Sequence, residues 1–314
     1  MSDTNLDISQ TGFETSPVFC AGGVEDFFAL MKPRVMSLVV FTALVGLVVA
    51  PGTLHPVIAI AALLCIAVGA GASGALNMWY DADIDAVMQR TAARPVPRGR
   101  VSPDEALTFG TILAAGSVIT MGMLINWVSA ALLAFTIGFY LFVYTMWLKR
   151  STPQNIVIGG VSGALPPMIG WAAATGTVSL EAVVLFLIIF MWTPPHFWAL
   201  AIKRQKEYAK AKVPMLPVTH GIALTKLHVV LYTILLFLVT LMPFVVFMSG
   251  TIYLAGAISL GVGFAYYAWK LYSTDGDEFA MKTFGYSIFY LTALFGFLLL
   301  DHYVRIIIRT YFMS

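Results

Sequence analysis

Long windows of this chain contain no charged residue, and short charged clusters separate them. Val35–Ala50 is the first window, and the helix it predicts starts a few residues earlier, near Phe27. Val57–Trp79 predicts a second helix. Ala106–Leu148 is long enough for two spans of roughly 20 residues, with a turn near Asn126–Trp127. Gln154–Ala174 and Ala182–Ile202 give the fifth and sixth. Leu227–Trp269 is again a double span, turning near Ser249–Gly250, and Thr283–Leu300 is the ninth. Lipid offers backbone amides no hydrogen-bond partner, so such windows must be helical. The pattern predicts an all-α polytopic membrane protein with nine helices around a central cavity.

The basic residues are distributed unevenly. Lys32 and Arg34 precede the first helix. Arg90, Arg94, Arg98 and Arg100 follow the second, and Lys149 and Arg150 follow the fourth. Lys203, Arg204, Lys206, Lys210, Lys212 and Lys226 lie between the sixth and seventh, and Lys270 and Lys282 between the eighth and ninth. A nine-helix order puts all of these on one side, which the positive-inside rule makes cytoplasmic. The opposite turns, near Thr53, Asn126, Gly176 and Gly250, carry no lysine or arginine. Arg305 and Arg309 break this pattern. A last helix running past Asp301, or an interfacial C-terminal segment, would account for them.

Composition agrees with this reading. The 314 residues are 59% hydrophobic and 11% charged, with mean hydropathy +0.86, against about 25% charged residues in a soluble domain. A net charge of +2 argues for no nucleic-acid partner, and the lipid bilayer is the expected surrounding. Cys20 and Cys65 are isolated and form no metal or disulfide pattern. Residues 1–26 are polar and acidic and lack the features of a signal peptide, so they read as a flexible tail. Residues 27–314 form the membrane domain, with large charged loops near 80–103 and 203–223.

The first of those loops carries the clearest chemistry. Asn77, Asp81 and Asp85 recur every four residues where the second helix ends. A four-residue step drifts by only about 40° around a helix, so the three share a face while Asp83 points elsewhere. Asp81 and Asp85 are candidates for binding Mg²⁺, which takes few protein carboxylates and fills its remaining positions with phosphate oxygens and water. Asn77 would supply a neutral oxygen or orient a water. Arg90 and Arg94, also four apart, suit bidentate contact with a diphosphate. Arg94-Pro95-Val96-Pro97-Arg98 cannot continue a regular helix and should turn the chain back over the site. Asp83, Arg98 and Arg100 read as solvent charges.

The second loop follows MWTPPHFWALAIKRQKEY. Pro194 and Pro195 are expected to kink the sixth helix. His196 comes next, flanked by Trp192, Phe197 and Trp198. An intramembrane histidine is a functional candidate, as an iron ligand, a donor to a propionate or a base. Lys203 and Arg204 suit phosphate or propionate. Glu207 is a candidate for a second metal site, with Tyr208 beside it. Tyr144, Trp147 and Trp171 read as membrane-interface aromatics. Both loops carry a Pro-X-Pro or Pro-X-X-Pro segment and a nearby glycine, and together they would roof one cavity.

At these loops the sequence resembles the UbiA-type intramembrane prenyltransferases. The likeness rests on Asn77–Asp85 (NMWYDADID), Met88–Thr91, Arg94-Pro95 and Val213–Pro217 (VPMLP). Pro194–Trp198 (PPHFW) is similar to the branch of the family that prenylates haem. The resemblance implies nine helices around a cavity open to lipid, with Asn77, Asp81, Asp85, Arg90 and Arg94 serving a Mg²⁺-diphosphate. His196, Lys203, Arg204, Glu207 and Tyr208 would line the acceptor side. It implies farnesyl diphosphate and haem b as substrates, and haem A synthase or terminal-oxidase assembly proteins as partners. The location implied is the bacterial inner membrane, with the N-terminus and large loops cytoplasmic. Two departures stand out: only Glu207 occupies the place of a second aspartate pair, and Lys212 stands where glycine is expected. A quinone precursor or chlorophyllide as acceptor, and a secondary transporter, are the alternatives.

Overall fold

The computed structural model describes residues 22–52 and 54–312, and among these helices are the only regular secondary structure. In order the helices are α1 (Val24–Leu30), α2 (Pro33–Val49), α3 (Pro56–Tyr80), α4 (Ala82–Val87), α5 (Pro103–Leu124) and α6 (Trp127–Gly138). α6 runs on as a π-helix, Phe139–Leu148, into α7 (Lys149–Ser151). Then come α8 (Asn155–Ala164), α9 (Pro166–Thr175), α10 (Leu180–Lys203), α11 (Gln205–Lys210) and α12 (Leu216–Thr219). The chain ends with α13 (Gly221–Thr240), α14 (Met242–Val245), α15 (Thr251–Ser273) and α16 (Ala280–Phe312).

Among the described residues eight spans are long and apolar enough to cross a membrane, and α1 with α2, bent by 53°, gives a ninth when the pair is taken as one span. The bend sits at Lys32, whose φ of 53° and ψ of 54° are left-handed. The tail expected over 1–26 falls outside the described residues except for its last five, of which Val24–Asp26 are already helical.

Local signals fix several helix starts. Ser102 and Glu105 form a reciprocal capping box ahead of α5, with Pro103 at its first position. Asn126 caps α6 through Ser129 and also donates to the Ala172 carbonyl, tying the second and third uncharged turns together. Two glycines permit the tightest crossing. A Cβ on Gly46 would lie 2.1 Å from the Pro167 carbonyl oxygen, and one on Gly170 would lie 2.1 Å from that of Ala43. The pair lets α2 lie against α9 at backbone distance. The core formed around them includes Ala43, Leu47, Ile169 and Leu185. Ile60, Leu64, Ile112, Ile119, Ile234 and Leu235 face outward, as an integral membrane protein requires.

The sixth span runs unbroken through Pro194 and Pro195. The last helix runs past Asp301, the first of the two arrangements expected for Arg305. Asp301 is buried and accepts from the Gly250 and Tyr253 amides at 2.6 and 3.3 Å, capping α15. Arg305 donates to the Met248 carbonyl at 2.9 Å. Its place at the otherwise uncharged end is thus a local turn contact. Lys212 adopts φ 55°, so the position where glycine was expected keeps the left-handed backbone that favours glycine.

Of the three aromatics expected at the membrane interface, one faces outward and two pack against protein. Trp171 is buried, and Tyr144 packs inside the bundle against Gly159. Trp147 is exposed.

Candidate active site

The charged connections gather at one end of the bundle, around Asp81. The i→i+4 backbone bonds continue through the α3–α4 junction, from Asp81 to Asn77 at 2.9 Å and from Asp85 to Asp81 at 2.8 Å. Asn77, Asp81 and Asp85 therefore keep their common face, and all three are buried. Asp83 points away, 64% exposed at its side chain, and takes two 2.8 Å bonds from Arg150. Those bonds hold the Asp83 carboxyl below its usual range.

Basic groups from distant segments close around the buried acids. Lys149, at the end of the π-helix, donates to Asp81 Oδ2, as does Asn77 Nδ2 at 2.5 Å. Arg94 Nη1 meets Asp85 Oδ2 at 2.5 Å. Lys32 donates to Asn77 Oδ1 at 2.6 Å, and Asn77 Nδ2 also reaches Thr145 Oγ1 at 3.2 Å. The Asn77 amide oxygen is thus held by Lys32, and its nitrogen orients Asp81. The Arg94 turn folds back as expected. Thr91 Oγ1 caps the Asp85 carbonyl at 3.0 Å, and Arg94 and Val96 continue the turn by short backbone bonds.

One oxygen remains free. Asp81 Oδ1 is sealed from solvent and has no hydrogen-bond partner among the described residues; Arg150 Nη2 lies 3.6 Å away, beyond hydrogen-bond reach. A buried carboxylate oxygen without a partner is costly, and a divalent cation bound there would remove the penalty. Asp85 turns only Oδ2 to Arg94. The two carboxylates are hard oxygen donors and fit Mg²⁺ better than a soft metal.

The second loop reaches the same cluster at one point. Tyr208 is buried with Ile84 and Met88 of the first loop and with Val213 and Met215 of its own. Burial raises the Tyr208 phenol above its usual pKa, and the neighbouring Arg90 opposes this. Arg204 pairs with Glu207 at 2.5 Å, while Glu207 Oε2 and Arg204 Nε stay buried and unpartnered among the described residues. Lys203, 47% exposed, turns instead to Asp277. Lys32, Tyr140 and Tyr144 lie close enough to Asp81 and Asp85 to share their electrostatic field, and each keeps part of its surface accessible.

His196 lies seven residues before the end of α10, about 10 Å below it at 1.5 Å per residue. Its ring is sandwiched between Trp192, 4.2 Å away, and Phe284, 4.6 Å away.

Lys32, Thr145, Lys149 and the Tyr140–Tyr144 pair were not legible as site residues. Lys149 lies 68 residues from Asp81 in sequence, and no local spacing marks it. The ten-residue π-helix that aims Thr145 and Lys149 has no signature among its apolar residues, although π-helical turns concentrate at functional sites.

Comparison with known proteins gives the family and the fold. Residues 39–298 match the model of the UbiA prenyltransferase family. A protoheme IX farnesyltransferase of Parvibaculum lavamentivorans is 60% identical over 305 residues, 96% of either chain. Protoheme IX farnesyltransferase 2 of Mesorhizobium japonicum is 57% identical, covering 97% of this chain and 96% of that one. Among solved structures, a digeranylgeranylglyceryl phosphate synthase superposes with TM-score 0.75 at 16% identity, covering 88% of this chain and 98% of that one. A UbiA homologue of Archaeoglobus fulgidus bound to DMAPP and Mg²⁺ superposes with TM-score 0.64 at 16% identity, covering 87% and 99%.

Proposed function

The chain belongs to the UbiA prenyltransferase family, and on that premise we propose that it transfers the farnesyl group of farnesyl diphosphate to a vinyl group of haem b, giving haem O and diphosphate. The observation that carries the reading is the buried pair Asp81 and Asp85, ringed by Lys32, Arg94 and Lys149 at the mouth of an apolar bundle. Relatives more than half identical along almost the whole chain are named for this reaction.

Asp81, through its free Oδ1, and Asp85 would hold Mg²⁺. When bound, the ion supplies positive charge that stabilises the leaving diphosphate. In the ion-free site the basic groups neutralise the acids. With substrate present, Lys32, Lys149 and Arg94 turn to diphosphate oxygens, for which a guanidinium fork is well shaped. Asn77 keeps Asp81 oriented. Arg90, beside Tyr208 of the second loop, adds charge from the first. The C1–O bond of the farnesyl diphosphate breaks with both electrons leaving on oxygen. The vinyl π pair of haem b forms the new bond to C1, and water adds to the resulting cation and loses a proton. This route needs no nucleophilic side chain. The apolar bundle keeps water from C1 until the carbon–carbon bond has formed. Preorganised charge at the departing group is the principal catalytic term.

On the acceptor side, His196 ligates the haem iron. Arg204, and Lys203 at the rim, meet the propionates. Glu207 with Tyr208 closes the mouth. The charged end faces the cytoplasm of a bacterial inner membrane, and haem O passes to a haem A synthase or terminal-oxidase assembly factor.

Acceptor competition tests the reading. Purified protein receives labelled farnesyl diphosphate, Mg²⁺ and equal amounts of haem b, a quinone precursor and chlorophyllide. Label is expected in haem alone. Label in either rival acceptor would reassign the enzyme within its family, and uptake without diphosphate release would make it a transporter.

A further inference from the structure

We propose that Ser287 is a positioning residue for the acceptor: its hydroxyl fixes the His196 tautomer so that Nε2 presents a lone pair to the haem iron. The inference rests on the haem-prenylating reading above. His196 Nδ1 and Ser287 Oγ are 2.7 Å apart, and Ser287 Oγ donates to the Phe284 carbonyl at 2.6 Å. A serine hydroxyl has one proton. With that proton on the Phe284 carbonyl, Oγ must accept from His196, which places the imidazole proton on Nδ1. The other tautomer satisfies one hydrogen bond where this one satisfies two.

The surroundings hold the arrangement rigid. Trp192 and Phe284 stack on the two ring faces at 18° and 27° to its plane. Trp192 Nε1 donates to the Ser287 carbonyl at 2.7 Å, so the residue that stacks on the histidine also anchors the residue that orients it. Phe197 meets the ring edge-on at 5.3 Å. With both faces covered and Nδ1 engaged, the Nε2 edge is the part left open to a ligand. Metal-bound histidines regularly donate their other N–H to a neighbouring acceptor, which sets ring orientation and ligand strength. No titratable side chain is needed for this, and Ser287 itself is fully buried.

The experiment uses full-length purified protein titrated with ferric haem b, and in parallel with metal-free protoporphyrin IX. Wild type should give a histidine-ligated absorption and EPR spectrum, lost in His196→Ala. Ser287→Ala should weaken haem binding about tenfold or more, the usual cost of removing such a partner, and should mix ligated with unligated spectra. Its protoporphyrin affinity should stay unchanged, because no iron–nitrogen bond is involved. Ser287→Thr, which keeps the hydroxyl, should restore the wild-type spectrum. Ser287→Cys, a weak acceptor of similar size, serves where the alanine variant cannot be isolated and should fall between the two. A Ser287→Ala spectrum and haem affinity equal to wild type would overturn the inference, as would equal losses for haem and protoporphyrin. A wild-type protein that turns haem over with a spectrum indifferent to Ser287 leaves the prenyl-transfer reading standing and removes this one. A ligated, Ser287-dependent spectrum without any farnesylated haem does the reverse.

Discussion

Asp81→Asn and Asp83→Asn change two carboxylates two residues apart, and the structure expects opposite outcomes. Asp81 is fully buried, and its Oδ2 accepts from Asn77 and Lys149. An amide of the same shape can keep both contacts, but the Asn77 bond becomes neutral and the Lys149 contact loses its ion pair. That change costs about 1 kcal/mol per bond, or about 2 kcal/mol of stability in all. The chemical cost is larger. The substituted amide would place a neutral oxygen or an NH₂ where the free Oδ1 of Asp81 offers negative charge, and removing one preorganised electrostatic group from such a site costs about 3–4 kcal/mol. The rate of haem farnesylation should therefore drop by about 10³-fold or more, with a thermal midpoint shifted by only a few degrees. Asp83 sits 64% exposed in an ion pair with Arg150. Exposed pairs contribute about 0–1 kcal/mol, so its variant should retain the wild-type rate within about twofold. The assay is the initial rate of farnesylated haem, followed by liquid chromatography and mass spectrometry, alongside a thermal melt. An Asp81→Asn protein that stays folded and keeps more than a tenth of the rate would refute this reasoning. So would an Asp83→Asn loss as large as that of Asp81→Asn.

Three further outcomes follow. Gly159→Ala would set a Cβ 2.2 Å from the Tyr144 ring, an overpacking cost of about 1–3 kcal/mol, and should lower turnover by displacing Tyr144 from beside the acids. An unchanged rate would show that Tyr144 borders no substrate. Asp301→Ala removes the cap of α15 at the far end and should cost about 1–2 kcal/mol, read as a lower melting temperature, while activity per folded molecule stays constant. Chelation with EDTA should abolish turnover, reversibly on adding Mg²⁺, and should lower the melting temperature without unfolding the protein, because Asp81 Oδ1 loses its partner while Lys149 and Arg94 still neutralise the acids. Chelation that unfolds the protein would assign the ion a structural role.

The spans were readable because a lipid-embedded helix leaves a charge-free window as wide as the bilayer, and Asn126 and Gly250 mark turns between paired windows by their own chemistry. The acids were readable because Asn77, Asp81 and Asp85 follow helical spacing across a junction that stays helical. What was hidden depends on contacts between distant segments. Lys32 and Lys149 look like any positive-inside charge until folding brings them to Asn77 and Asp81. Ser287, in the middle of an apolar helix, carries no mark of its bond to His196. The charge-free window closes at Leu300, and the sequence left two arrangements open for the charges after it. Asp301 and Arg305 bond to the turn before α15.

The most direct test of the account is anomalous diffraction from protein bound to Mn²⁺ and a non-cleavable farnesyl diphosphate analogue. The ion should lie between Asp81 Oδ1 and Asp85, touching diphosphate oxygens, with Lys149 and Arg94 moved from the carboxylates onto the diphosphate. An ion bound elsewhere, or a diphosphate held while both ion pairs stay closed on their carboxylates, would contradict it.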